Sequence, residues 1–174
     1  AYTVTGTTGS CVSTKKVTVS VSKPPVVKIN PAVGIMCTGG SVNLNANGAT
    51  VYSWSPAFGL NTTTGASVHG TPSVTTTYTV TGITNGCSDT QSIVVTVNPT
   101  PTVIVTPPYD TILAASGVNL AASGATSYTW SPVTGLNTSS GANVNAKPSA
   151  STQYVVTGTL NGCKDTQSVM IWVT

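Results

Sequence analysis

Apolar and polar residues alternate one by one through most of this chain. Val42 and Leu44 are set among asparagines, Tyr52 and Trp54 among serines, and Tyr78 and Val80 among threonines, while Ile93, Val95 and Val97 run out to Asn98-Pro99. A period of two is the pattern of a strand with one buried face, and no stretch carries the period of a helix. Turn-forming residues punctuate the runs at Gly39-Gly40, Asn47-Gly48, Ser55-Pro56, Gly65 and Asn85-Gly86. Such a succession of short strands predicts an antiparallel β-sandwich.

The pattern then repeats. Tyr2, Tyr78 and Tyr154 are 76 residues apart, as are Cys11, Cys87 and Cys163, and Trp54 and Trp130 keep the same step. About half of the positions in the two full copies are identical and no gap is needed, which marks an array of like units. Residues 26–101 form one copy and 102–174 the next, while residues 1–25 match only the last third of a copy. The segments Lys23–Pro25 and Asn98–Pro101 read as short Pro-bearing linkers. The second copy carries its strands at Val118/Leu120, Tyr128/Trp130, Tyr154/Val156 and Val169/Ile171/Val173, with Asn161-Gly162 as the last turn.

About seven strands per unit fit an immunoglobulin-like assignment: Val26–Ile29 as strand A, Ser41–Asn45 as B, Val51–Trp54 as C, Thr76–Ile83 as F and Gln91–Val97 as G. The fold expected is all-β: tandem immunoglobulin-like antiparallel β-sandwiches preceded by a partial repeat. Trp54 and Trp130 are expected to pack between the sheets. Tyr78 and Tyr154 should give their rings to the core and their hydroxyls to a backbone partner. Residues 1–25 correspond to strands F and G alone, and two strands cannot bury a core. Either the rest of that unit has been lost from this chain, which is the plainer reading, or another chain supplies it by strand addition.

Composition narrows the function. Only 5% of residues are charged, with no Glu and no Arg, and the net charge of +3 comes from scattered lysines. That is too thin for a nucleic-acid footprint, and no apolar run is long enough for a membrane-spanning helix. With 39% apolar residues in regular alternation, the chain is not of the disordered class. Four cysteines lie in a Thr/Ser/Gly-rich β pattern without metal-type spacing, which points to an oxidising, extracytoplasmic setting.

Catalysis has little to work with. The acids are Asp89, Asp110 and Asp165, and the first and last are repeat-equivalent, read here as turn residues that satisfy backbone amides. The single His69 aligns with Asn145, no nucleophile–base set recurs, and no calcium or zinc ligand set is present. No enzyme activity, metal or cofactor is expected. Two side chains stand out on the surface. Trp172 replaces Thr96 and Ser20 of the other copies on the outward register of the last strand, and Phe58 replaces Thr134 in a loop. Both are candidate contacts, Trp172 for a sugar ring or a neighbouring module and Phe58 for a junction.

The blocks Tyr52-Ser-Trp-Ser-Pro-Ala-Phe-Gly-Leu60, Thr75–Gly82 and Asn85-Gly-Cys-Ser-Asp-Thr90, with Tyr128–Leu136 and Asn161–Thr166 in the second copy, carry a resemblance. They resemble the Ig-like and PKD-like repeats of large secreted Bacteroidota surface proteins, including gliding-motility-associated adhesins. The acidic loop motif of typical PKD units is missing. The resemblance covers nearly the whole chain and implies export to the cell surface. It also implies that a cysteine before strand B accompanies the one in the F–G turn. Cys37 holds the first position, and its counterpart in the next copy is Leu113. Two pairings are open. Cys37–Cys87 would lie within one unit, but its cysteines would sit at opposite ends of a sandwich, beyond the reach of a disulfide. Cys37–Cys163 would cross and stiffen the junction between units and is the preferred reading, leaving Cys11 and Cys87 to partners upstream. Asp110-Thr111-Ile112 resembles the O-glycosylation tripeptide of the same bacteria, which makes Thr111 a glycan candidate. Asn61-Thr-Thr63 and Asn137-Thr-Ser139 match N-glycosylation sequons, which a bacterial origin would leave unused.

The function expected is a non-catalytic structural segment of an extracellular or cell-surface filament or adhesin stalk. A polysaccharide-binding module and spacer repeats of a larger secreted enzyme are the alternatives. The partners expected are other copies of the protein or adjacent repeats of a longer chain, and a surface polysaccharide, with no nucleic acid and no membrane insertion.

Overall fold

The computed structural model describes residues 1–174, and every regular element is a strand. β1 (Tyr2–Thr8) and β2 (Cys11–Val17) form an isolated antiparallel hairpin. The first sandwich contains β3 (Lys28–Asn30), β4 (Gly34–Cys37), β5 (Val42–Asn47), β6 (Val51–Ser55), β7 (Ser67–Gly70), β8 (Thr76–Thr84) and β9 (Cys87–Asn98). The second repeats it with β10 (Ile104–Thr106), β11 (Tyr109–Ile112), β12 (Val118–Ser123), β13 (Ser127–Ser131), β14 (Asn143–Ala146), β15 (Thr152–Leu160) and β16 (Cys163–Val173).

Each sandwich has a three-stranded sheet, ordered β3-β5-β7 or β10-β12-β14, and a four-stranded sheet, ordered β4-β9-β8-β6 or β11-β16-β15-β13. The first edge strand changes sheets part-way. β3 pairs with β5, and after Pro31 the chain crosses to lie parallel to β9 as β4; Pro107 separates β10 from β11 in the same way. Proline has no N–H to donate to a ladder, so it falls where one pairing ends and the next begins. The parallel pairings β4–β9 and β11–β16 depart from the wholly antiparallel sandwich expected. β4 itself was not foreseen, because Gly-Ile-Met-Cys carries an apolar residue on its outer face and so hides its alternation.

Two separate cores result. One gathers eleven buried residues around Leu44, Trp54, Tyr78, Val80 and Val95, the other thirteen around Leu120, Trp130, Tyr154, Val156 and Ile171. In the two sandwiches the inward positions of the strands bury apolar groups, each large side chain contributing about 1.5–3 kcal/mol, while the outward positions are mostly polar. The F–G type hairpins turn on Asn85-Gly86 and Asn161-Gly162, all four residues at positive φ, which is what a tight hairpin with matching twist requires. Gly48 is needed for a different reason. Its φ is +97°, and a Cβ there would run into the Val26 carbonyl oxygen; Gly124 stands in the same relation to Thr102.

Candidate functional sites at the junction and on the outer sheets

The aromatics that recur in both repeats are engaged inside the fold. Trp54 Nε1–H donates to the Gly65 carbonyl at 2.9 Å and Trp130 Nε1–H to Gly141 at 3.0 Å, so each indole closes the loop that follows its own strand. The Tyr78 hydroxyl donates to the Phe58 carbonyl at 2.6 Å and Tyr154 to Thr134 at 2.7 Å. Both tyrosine side chains are completely buried, and loss of water pushes their ionisation above the ordinary 10.0. Tyr52 uses its hydroxyl both ways, accepting from Ala49 N–H and donating to Ala49 C=O at 2.7 Å, and Tyr128 does the same with Ala125. No buried side-chain polar atom is left without a partner.

The two repeat-equivalent aspartates are not turn residues. Asp89 lies in β9 and Asp165 in β16, and each accepts a backbone N–H from the start of its own repeat, Val27 at 2.8 Å and Val103 at 2.9 Å. They therefore pin the incoming linker to the last strand. This role was hidden from the sequence because the partner lies 62 residues away. The equal spacing of Asp and linker in both copies was its only trace.

Cys37 and Cys163 are joined by a disulfide with Cα atoms 5.7 Å apart, linking the end of β4 to the start of β16 across the junction. Cys37 lies beside Asn98 in the parallel register, at the far end of β9 from Cys87. Those twelve residues span about 36 Å, which excludes a Cys37–Cys87 bond. Further contacts gather at the same junction. Asn98 Nδ2–H donates to the Asn161 carbonyl at 2.9 Å, and Thr38 N–H donates to the Asn98 carbonyl at 2.9 Å. Cys87 and Cys11 are free thiols.

On the outer face of the second four-stranded sheet, Thr111 is the direct cross-strand neighbour of Trp172, and Tyr109 of Met170. Trp172 is 50% exposed and Tyr109 is 69% exposed, so the two rings lie diagonally across adjacent strands and open to solvent. The first sandwich has Val33, Ile35, Val94 and Thr96 at the matching positions. Phe58 is half exposed on the loop between β6 and β7, at the end of the sandwich where β9 finishes.

His69 belongs to a polar ladder on the outer face of the three-stranded sheet. Its Nδ1 lies 2.7 Å from Asn43 Oδ1, and in the next copy Asn145 Nδ2–H donates to Asn119 Oδ1 at 2.8 Å. Asn61 and Asn137, the asparagines of the two sequons, accept the backbone N–H of residues 69 and 145 through their side chains. Each ladder lines a shallow open groove of about 330 Å³.

No family profile and no curated protein matches this sequence. Among solved structures, the fold is similar to the I-band fragment I67–I69 from titin, with 14% identity and a TM-score of 0.51 over 88% of this chain and 66% of that one. It is also similar to extracellular domains 3–5 of Drosophila OTK, with 10% identity and a TM-score of 0.53 over 86% of this chain and 62% of that one. The chain thus spans somewhat less than two thirds of either. At such identities the likeness is one of fold, that of tandem immunoglobulin-like β-sandwiches.

Proposed function

We propose that this chain is a non-catalytic structural segment of an extracellular or cell-surface filament or adhesin stalk. The observation that carries the reading is the disulfide between Cys37 and Cys163, which ties one repeat to the next rather than closing either on itself. A bond placed there stabilises the relation between units, which matters for a module whose work is to hold a distance. It also belongs to an oxidising compartment. The low charge and threonine-rich outer strands suit a passive spacer.

Electron microscopy of native material released from the cell surface, with small-angle scattering of the purified chain, tests this. Extended particles or fibres with a regular subunit repeat are expected. A compact particle that binds a defined glycan at micromolar strength would overturn it.

One observation favours a second reading. Tyr109 and Trp172 form an exposed aromatic pair where the first copy has Val33 and Thr96. Flat neutral rings stack on pyranose faces, so this sheet would bind a polysaccharide. Retention on a glycan array that is lost in Trp172→Ala supports that reading, and retention unchanged by the substitution removes it. Intact mass of the native protein decides whether Thr111 carries a glycan that covers the ring.

A further inference from the structure

The β1–β2 hairpin reproduces the β8–β9 hairpin but shows solvent the face that its counterpart buries. Tyr2 and Val4 stand one period before Tyr78 and Val80, and Val17 and Val19 one period before Ile93 and Val95. Those later residues are core, whereas Tyr2 is 69% and Val4 64% exposed. The hairpin pairs with no other strand.

A second, independent observation lies at its far end. The Cys87 thiol points at the Ser22 carbonyl, 3.7 Å away, while the Cys163 sulfur lies 3.8 Å from the Asn98 carbonyl. Ser22 and Asn98 are one period apart, as are Cys87 and Cys163. The tail of the hairpin therefore meets the first sandwich as the tail of β9 meets the second. At the second junction a further participant, Cys37, sits beside Asn98 and bonds to Cys163. The first junction repeats the cysteine and the facing carbonyl, with Ser22 in the place of Asn98, and lacks that participant.

We propose that the β1–β2 hairpin and Cys87 together form a docking site for a five-strand segment of the β3–β7 type on the same polypeptide. A cysteine at the place of Cys37 in that segment bonds to Cys87. The inference rests on the tandem-array reading and extends it, since every junction of this kind would then be stapled alike. The occupant follows from the exposed row itself, in which Tyr2 and Val4 are identical to the residues that β3–β7 cover in the first sandwich. In the bond-forming step two S–H bonds break and one S–S bond forms. Two electrons and two protons pass to the disulfide of a thiol oxidant, which leaves as a dithiol.

The test joins a second copy of residues 26–77 directly ahead of Tyr2 and maps the disulfides of the extended chain without reduction. The expected map links the added cysteine to Cys87, leaves Cys11 as the sole alkylatable thiol, and shows Tyr2 protected from nitration. An added cysteine bonded to Cys11, or Cys87 still alkylatable beside a protected Tyr2, overturns the proposal. So does a Tyr2 that stays exposed, because the segment then fails to complete the hairpin. Equal linkage when residues 26–77 are supplied as a separate polypeptide would assign the site to a second copy instead. The Cys37–Cys163 bond in the same map separates the two levels. If it is present while Cys87 stays free, only this proposal falls; if it too is absent, the array reading falls with it.

Discussion

Asp89 in the last strand of the first sandwich accepts the backbone N–H of Val27, where the linker enters, at 2.8 Å. One carboxylate thus holds together the two ends of a repeat. Asp89→Ala leaves that part-buried N–H without a partner and should cost about 1–3 kcal/mol, measured as a lower urea midpoint. Asp89→Asn keeps an acceptor in place and should recover most of the loss. A midpoint unchanged in the alanine variant would show that water replaces the carboxylate.

Gly48 and Gly86 both have positive φ, but they differ in what surrounds them. A Cβ on Gly48 meets the Val26 carbonyl, while one on Gly86 meets nothing within 4 Å. Gly48→Ala should therefore destabilise on the order of 3 kcal/mol, adding a backbone collision to the conformational strain. Gly86→Ala should cost about 1–2 kcal/mol, from strain alone. Equal losses in thermal unfolding would refute the assignment of the larger effect to the collision.

Tyr78 and Tyr154 ionise late because burial disfavours the phenolate, so alkaline stability is linked to them. Their raised values lie above the 10.0 of the unfolded chain. Stability from keeping them neutral is complete below pH 10.0 and disappears as the pH climbs through the raised values. The double variant Tyr78→Phe/Tyr154→Phe should lose about 1 kcal/mol per hydroxyl at neutral pH, yet decline less steeply above pH 10. Urea midpoints across that range provide the comparison, and parallel slopes would contradict it.

The disulfide between Cys37 and Cys163 closes a stretch with a sequence separation of 126. Removing both sulfurs as Cys37→Ala/Cys163→Ala releases denatured-state entropy of about 4–5 kcal/mol by the loop-length relation. The variant should keep both cores, since each is assembled from its own repeat. Calorimetry should then resolve two transitions where the bonded chain unfolds as one. A bonded chain that already melts in two steps would argue against coupling through this bond.

Much of the fold was legible because it rests on local rules. The alternation around Tyr52, Trp54, Tyr78 and Val80 placed the inner face, and Asn85-Gly86 and Asn161-Gly162 placed the hairpins. β7 is less legible, because Ser67–Gly70 offers only Val68 and Gly70 to the inside. β4 is less legible again, because Ile35 on its outer side is apolar and exposed. The partner of Asp89 left no trace beyond the equal spacing of Asp and linker in the two copies. Nothing near either residue signals a hydrogen bond across 62 positions, and the strand that carries the acid looks locally like the continuation of a turn. Cys37 posed the same distance problem, but the placement of its turn and the F–G turn at opposite ends of one sandwich favoured Cys163 over Cys87, and the structure joins Cys37 to Cys163.

That bond also decides what happens when the chain is pulled. Tension entering through the first strands passes from Cys37 directly to Cys163 and leaves through β16. The polypeptide between them, including most of both cores, is a side loop that carries no force. A span of 126 residues holds on the order of 400 Å of extended chain. With the sulfurs joined, none of that slack can be paid out, and the protein behaves as a short leash instead of an unravelling spring.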